Sequence, residues 1–432
     1  MVKTNYVRML RNNPEYTKLW LAQVISLTGD WFNTVVLSSL VALYSDGSGL
    51  AISLFLMARF LPPLLVSPFA GVLLDRFNRK QILVWSNLLR ALIVPLFLLA
   101  NSPDMLWLIY VVTIAQFTLS SVFEPGQSAI IPALVDPDDI IEANTLMSVT
   151  WSVMLALGAI LGGLFAFIFG TNAALVADAA TFAIAGVLLI SVRYDPERGR
   201  KLAKAVGVDP LETAEDTSFM EGLRYIRKTP QIAAAIFVKF GQSISNMDTF
   251  LTILGTQIFV IGAQGELSLG ILYSALGVGA LIGPLLSNRV NNGSVTRMRR
   301  LIGVGFVMAV FSWPLLGANL LWLVGIGILV RAMGVSINWT YSNVIIQKSA
   351  PDAKLGRMFS IDMAGFQLAT IATTLAHGWL IDVLGLEQLG WLIWGTMLVG
   401  LIPTAIWFWI VPRLEKLEAT TPYSEVTPAT GD

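Results

Sequence analysis

The 432-residue sequence has no cysteine and a single histidine, His377. The first absence excludes disulfides, iron-sulfur clusters and thiolate chemistry, and the second leaves too few imidazoles for a His-based metal site. Charge is scarce too. Asp, Glu, Lys and Arg make up 13% of the chain, against roughly 25% in soluble globular proteins, and 28 basic residues balance 28 acidic ones. Without a basic excess, nucleic acid is not an expected partner. No G-x-x-x-x-G-K-[ST] phosphate loop occurs, which removes a nucleotide-driven pump of that type, and one histidine cannot supply H-E-x-x-H. What the chain has in abundance is apolar: 55% hydrophobic residues and a mean hydropathy of +0.70. These are the proportions of a protein that lives in a bilayer.

A helix needs about 20 mostly apolar residues to cross a membrane. Twelve such stretches occur, near residues 19–44, 50–73, 81–100, 105–122, 141–169 and 172–192, then 232–260, 268–290, 301–317, 320–346, 359–384 and 389–411. They are called spans 1 to 12 below. The Lys and Arg residues test this count, because basic residues stay on the cytoplasmic side of short loops. Of the 28, 24 fall at the N-terminus, in the even-numbered loops, in the central segment or in the tail, and the odd-numbered loops have none. A missed or extra span would scramble that parity. The expected fold is therefore an all-α membrane protein with twelve transmembrane helices and both termini cytoplasmic. The first apolar stretch is too long for a cleavable signal peptide and lacks a small-residue cleavage site.

Residues 193–231 lack an apolar span and read as a cytoplasmic linker between an N-terminal six-helix bundle (1–192) and a C-terminal one (232–411), followed by a cytoplasmic tail (412–432). Within the linker, Ser218 to Lys228 places Phe219, Met220, Leu223, Tyr225 and Ile226 among charges, the pattern of an interfacial amphipathic helix. The halves echo each other: Pro137-Asp138 before span 5 aligns with Pro351-Asp352 before span 11. Internal repeats of helix bundles are how many secondary transporters are built, so six plus six points to alternating access.

Where span 2 meets the cytoplasm stands Gly71-Val-Leu-Leu-Asp75-Arg76-Phe-Asn-Arg79-Lys80. The glycine permits close helix approach, the aspartate can accept from a neighbouring helix N-terminus, and the basic residues can pair with acids nearby. The expectation is a latch that forms in one state and breaks in another, with Glu124 at the cytoplasmic end of span 4 as the partner of Arg79. The plainer alternative is that Arg76, Arg79 and Lys80 only enforce topology.

This G-x-x-x-D-R-x-x-R-K run resembles the signature loop of the major facilitator superfamily, with a degenerate second copy at Gly283 to Arg289 in which Ser287 replaces the aspartate. Further stretches are similar to its efflux branch, which includes macrolide and enterobactin exporters: Ala58-Arg-Phe-Leu-Pro-Pro63, Phe123-Glu-Pro125, Ile131 to Val135, Glu142-Ala-Asn144 and Ala350-Pro-Asp with Gly356-Arg357. The resemblance implies two pseudo-symmetric bundles around a central cavity lined mainly by spans 1, 4, 7 and 10, and it adds Gly356 and Arg357 to the gating motif. One departure bears on coupling. Proton-coupled drug exporters of this family often carry G-P-x-x-G-G in span 5, and here Ala159 replaces the proline in Gly158-Ala-Ile-Leu-Gly162-Gly163.

Ionisable groups inside spans are costly and mark function by default. They are Asp30, Arg59, Arg90, Asp178, Lys239, Asp248, Arg331, Asp362 and His377. Counted at about 1.5 Å per residue, Asp30, Arg59 and Arg331 lie near the midplane. Proton coupling is expected at Asp30, opposite Arg331 or held by Arg59, with Asp248, Lys239 and Asp178 as further candidates. The alternatives are a static Asp30 to Arg59 pair, a snorkelling Lys239, structural pairing of Asp178 and Arg90, a cap or latch role for Asp362, and packing for His377. Trp31, Phe32, Gln116, Phe117, Phe250, Asn338 and Trp339 lie on the cavity spans, and aromatics and amides with few charges suit a bulky amphiphilic solute.

The function expected is secondary active export of small amphiphilic, drug- or macrolide-like compounds by proton antiport. It needs no cofactor beyond the proton gradient and no metal, and operates as a monomer in the bacterial cytoplasmic membrane. The alternatives are a siderophore or lysolipid exporter with other coupling, or a membrane enzyme binding Mg²⁺ at Asp136, Asp138, Asp139 and Glu142. The place of that acidic run before span 5 favours capping over metal binding.

Overall fold

The computed structural model describes residues 6–195 and 219–420. The side chains of residues 67, 68, 71, 72, 75, 219–221, 352, 353 and 417–420 lie outside that description, as do most of the predicted linker and the end of the tail. Every regular element among the described residues is helical. A short helix, Tyr6–Asn12, leads into span 1, Pro14–Tyr44, and spans 2 to 6 follow as Gly49–Arg76, Arg79–Ile93, Leu106–Leu134, Ile140–Phe169 and Thr171–Ile190. Within the linker lies a helix at Phe219–Lys228, and after it come the segmented span 7 and spans 8 to 12 as Glu266–Val290, Val295–Phe311, Leu321–Ser349, Asp352–Leu384 and Leu389–Thr420.

Several helices run further than their apolar cores predict. Span 4 does not stop at residue 122 but continues through Pro125 and Pro132 to Leu134, and span 12 continues past residue 411. Outside the hydrocarbon, water and headgroups satisfy polar side chains, so a helix extends beyond the stretch that hydropathy detects. Spans 3 and 9 repeat one feature: each closes in a proline-bearing turn, Val94–Leu99 with Pro95 and Trp313–Leu316 with Pro314.

Ten helices among the described residues are long and apolar enough to cross a membrane. The predicted spans 7 and 11 are not among them. Span 11 has the length, but Asp362, Gln367, Thr370, Thr373, Thr374 and His377 dilute its apolar residues. Span 7 is broken into Pro230–Ser243, Asp248–Ile253 and a π-helical turn at Leu254–Ile258. The outer surface is apolar, with Trp391 75% and Trp409 62% exposed. Aromatic side chains on such a surface face lipid, not water.

The buried apolar residues define the shape. At the end of the bundle whose loops lack Lys and Arg, here the neutral end, one cluster joins both halves, including Val36, Phe55 and Val112 with Leu254, Leu272 and Ile381. Toward the opposite, basic end the core divides. Leu83, Phe123, Ile131 and Leu189 cluster in the N-terminal half, and Ile232, Phe306, Tyr341 and Met358 in the C-terminal half. The halves are thus fused at one end and separate at the other.

Candidate functional site

The closed end is made of backbone contact and hydrogen bonds between spans 2 and 11 and between spans 5 and 8. A Cβ on Gly49 would meet the carbonyl oxygen of Gly378 at 2.7 Å, and one on Gly277 would meet the Ala156 backbone at 2.4 Å. Only glycine allows such an approach. Asp382 of span 11 caps the start of span 2: Ser48 Oγ donates to Asp382 Oδ2 at 2.7 Å, and the Gly49 and Leu50 amides donate to its two oxygens at 2.6 and 3.1 Å. Ser53 Oγ donates to the Thr374 carbonyl at 2.7 Å, and Ser274 Oγ to the Ala156 carbonyl at 2.5 Å. At the basic end, Asn144 and Ser148 of span 5 and Ser360 of span 11 are exposed and bond only to carbonyls of their own helices. Polar side chains left exposed on membrane helices belong to a water-filled crevice.

Asp30 stands partway along this crevice, its side chain 27% exposed. Its nearest cation is neither Arg59 nor Arg331 but Arg90 of span 3, at 3.9 Å. Gln116 Nε2 donates to Asp30 Oδ1 at 3.4 Å and its Oε1 accepts from Asn33 at 3.4 Å. Arg90 is buried between the rings of Phe123 and Phe182, 4.8 and 4.4 Å from their centroids, and donates to Asn87, Ser86 and Ser120. The expected pairing of Arg90 with Asp178 does not occur. Asp178 is buried against Gly29, and neither of its oxygens accepts a hydrogen bond of ordinary geometry among the described residues. Arg59 instead lies over the Phe117 ring, 4.9 Å from its centroid.

The C-terminal half holds a different arrangement. Lys239 of span 7 and Asp362 of span 11 form an ion pair with no side-chain exposure on either partner. The ammonium also donates to Asn343 Oδ1 at 2.6 Å and sits 4.3 Å from the Trp339 ring centroid. Lys239 therefore does not snorkel, and Asp362 is its partner, not a cap. Sequence reasoning missed this pair because spans 7 and 11 are distant in the chain and no local spacing links them.

Arg331 also departs from expectation. Its guanidinium donates to the carbonyl of Ser245, inside the break in span 7, and to the Ala309 carbonyl at 2.7 Å. An interrupted helix at membrane depth must have its freed backbone groups satisfied from elsewhere, and Arg331 does this instead of facing Asp30. Asn246 Oδ1 accepts from the Asp248 amide at 2.8 Å, restarting the helix with Asp248 in its first turn. His377 packs edge-on against Phe250, 4.9 Å between centroids, with Nε2 3.3 Å from Thr396 Oγ1.

Among the gating residues, Gly71 and the Asp75 side chain lie outside the description. Arg79 reaches the Ala129 carbonyl at 3.0 Å and Lys80 the Ile190 carbonyl at 2.7 Å. The expected Arg79 to Glu124 pair is absent among the described residues, because Arg79 is drawn to the exposed carbonyls near the end of span 4. Arg76 and Gly356 are exposed, and Arg357 is engaged. Of the expected cavity residues, Gln116 joins the Asp30 network, Trp339 lies under Lys239, and Trp31 meets Tyr273 at 5.6 Å across the two halves. Three do not line a cavity. Phe32 packs on Phe165, Phe250 on Trp313, and Asn338 is wedged against Gly305 between spans 9 and 10. Each points into a helix contact that its span number alone does not reveal.

Comparison with known proteins agrees with this architecture. The family model of the Major Facilitator Superfamily matches residues 19–354. The uncharacterized MFS-type transporter YfiS of Bacillus subtilis (strain 168) is 26% identical over 91% of this chain and 93% of its own. The candidate bacilysin exporter BacE of the same organism is 24% identical over 84% and 87%. Among solved structures, a mutant of the nucleoside transporter NupG superposes with a TM-score of 0.70 at 12% identity, covering 92% of this chain and 99% of that one. With a family match over most of its length and a shared fold, the chain belongs to the Major Facilitator Superfamily of multi-pass membrane transporters.

Proposed function

We propose that the protein is a secondary transporter, not an enzyme, that exports small amphiphilic molecules across the bacterial cytoplasmic membrane, driven by proton entry through Asp30. The observation that carries this reading is a partly exposed carboxylate at membrane depth, in a crevice open at the basic end, with a buried arginine at 3.9 Å behind it. The guanidinium stabilises the charged form of Asp30, and withdrawal of water on closure disfavours it. A change of state that alters either contribution takes up or releases a proton. The broken span 7 and the polar span 11 complete a set of twelve spans, arranged as bundles 1–192 and 232–411, with the basic end and both termini in the cytoplasm. No cofactor is required, and a single copy suffices because the cavity lies between its own halves. Similarity to the candidate bacilysin exporter supports the direction of transport. The acidic run before span 5 is tied to the start of span 1, with Asn13 Nδ2 donating to Asp139 Oδ2 at 2.6 Å and Asn13 Oδ1 accepting from the Asp136 amide at 3.0 Å, which favours a structural role over catalysis.

The test is proton movement in sealed proteoliposomes with an internal pH dye, screening macrolides, dyes and siderophores. Substrate-dependent proton flux that disappears in Asp30→Asn supports antiport through that carboxylate. Transport that continues with no proton flux in the unaltered protein rejects the coupling.

A further inference from the structure

At the basic end, the helix Phe219–Lys228, the start of span 7 and the end of span 12 enclose a groove of ≈ 410 Å³ that opens on the outer surface. Its wall is apolar, formed by Ala233, Ala234, Phe237 and Ile410, and two arginines, Arg227 and Arg413, also line it. Both arginines are exposed, and neither has a carboxylate partner among the described residues. The nearby acid is turned elsewhere: Glu415, two residues beyond Arg413, reaches Arg300 at 3.8 Å. Arg413 stacks 3.3 Å from the centroid of Trp409, which is itself exposed. Such a tryptophan marks the level of the lipid headgroups.

Two cations without a carboxylate partner among the described residues thus stand beside an apolar slot near the level of the headgroups. We infer that this groove is a binding site for an anionic phospholipid, its phosphate held between Arg227 and Arg413 and an acyl chain lying along Ala233, Phe237 and Ile410. A zwitterionic lipid fits less well, because its ammonium group is brought toward two positive charges with no acid to receive it. A soluble anion gains nothing from the apolar wall. A juxtamembrane Lys or Arg favours anionic lipid by about fivefold each, so the pair supplies about 30-fold together.

The experiment is native mass spectrometry of the full chain, released from detergent after equilibration with equimolar palmitoyl-oleoyl phosphatidylglycerol and phosphatidylcholine. The expected result is a first lipid adduct dominated by phosphatidylglycerol. That preference falls by about 30-fold in Arg227→Gln/Arg413→Gln and persists in Lys228→Gln, which removes the same kind of charge from a neighbouring exposed position outside the groove. Because all three side chains are exposed, thermal unfolding in phosphatidylcholine nanodiscs should be the same for every variant. Equal adducts of both lipids on the unaltered protein, an undiminished preference in the double variant, or an equal loss in Lys228→Gln overturns the proposal. The last result would mark a diffuse basic surface.

Discussion

The two halves carry their intramembrane charges in opposite ways. In the N-terminal half, Asp30 is partly open to the crevice and meets Arg90 at 3.9 Å, with an amide, Gln116, as its closest polar contact. In the C-terminal half, Lys239 and Asp362 are sealed and directly hydrogen-bonded, with Asn343 and Trp339 completing the ammonium's surroundings. A loose, wettable pair can change protonation as the crevice opens and closes. A sealed pair resists separation, because parting its members leaves a charge in low dielectric. One fold repeated twice thus holds one carboxylate that water can reach and one ion pair that it cannot, and the difference lies in water access more than in residue type.

The comparison breaks most visibly at the sealed pair. Lys239→Met alone strands Asp362 and should cost about 3–5 kcal/mol, whereas Lys239→Met/Asp362→Leu should recover most of that loss. Thermal unfolding in detergent reads both, and a double variant no more stable than the single one would mean that the pair is not the origin of the cost. Next comes the open pair. Asp30→Asn is expected to reduce substrate-dependent proton flux to that of empty liposomes while shifting thermal stability by about 1 kcal/mol or less, since the carboxylate is partly exposed and its contact with Arg90, at 3.9 Å, is long. A large stability loss there would erase the distinction between the halves.

A smaller effect is expected at Asp382. Removing a charge beside a helix N-terminus costs about 1 kcal/mol or less, so Asp382→Asn should shift the balance away from closure of the neutral end by up to about fivefold. Spin labels at Asp104→Cys and Glu387→Cys report that distance distribution, and the lack of native cysteine leaves no background labelling. An unchanged distribution would assign the closure to the glycine contacts alone. The smallest change should follow Glu124→Gln, because Glu124 has no ion pair among the described residues. Transport within about twofold of the unaltered protein is expected, and a larger drop would reinstate a latch at that position in another state.

Much of this was legible in the sequence. Apolar stretches and the one-sided distribution of Lys and Arg locate the helices, since hydropathy and charge act residue by residue along the chain. The intramembrane charges were also visible as exceptions to that pattern, Asp30 and Lys239 among them. Their partners were not. Arg90 with Asp30 and Lys239 with Asp362 are pairings between distant spans, set by how helices rotate and pack, and depth counted along a span carries no rotation. The same lack of rotational information misassigned Phe32, Phe250 and Asn338, which face neighbouring helices. Arg331 illustrates a further limit. Its role follows from a break at residues 244–247 that hydropathy passes over, because a broken helix and an intact one of the same composition score alike.

That break also limits symmetry. Span 1, the counterpart of span 7, is one unbroken helix from Pro14 to Tyr44, so the two repeats are not interchangeable bodies at the neutral end. A form open at the neutral end, built by exchanging the conformations of the halves, would force span 7 straight and strip the Ser245 carbonyl from Arg331. The break at residues 244–247 gives the neutral-end segment of span 7 a direction of its own, an asymmetry between the halves that two identical rigid bodies would not have.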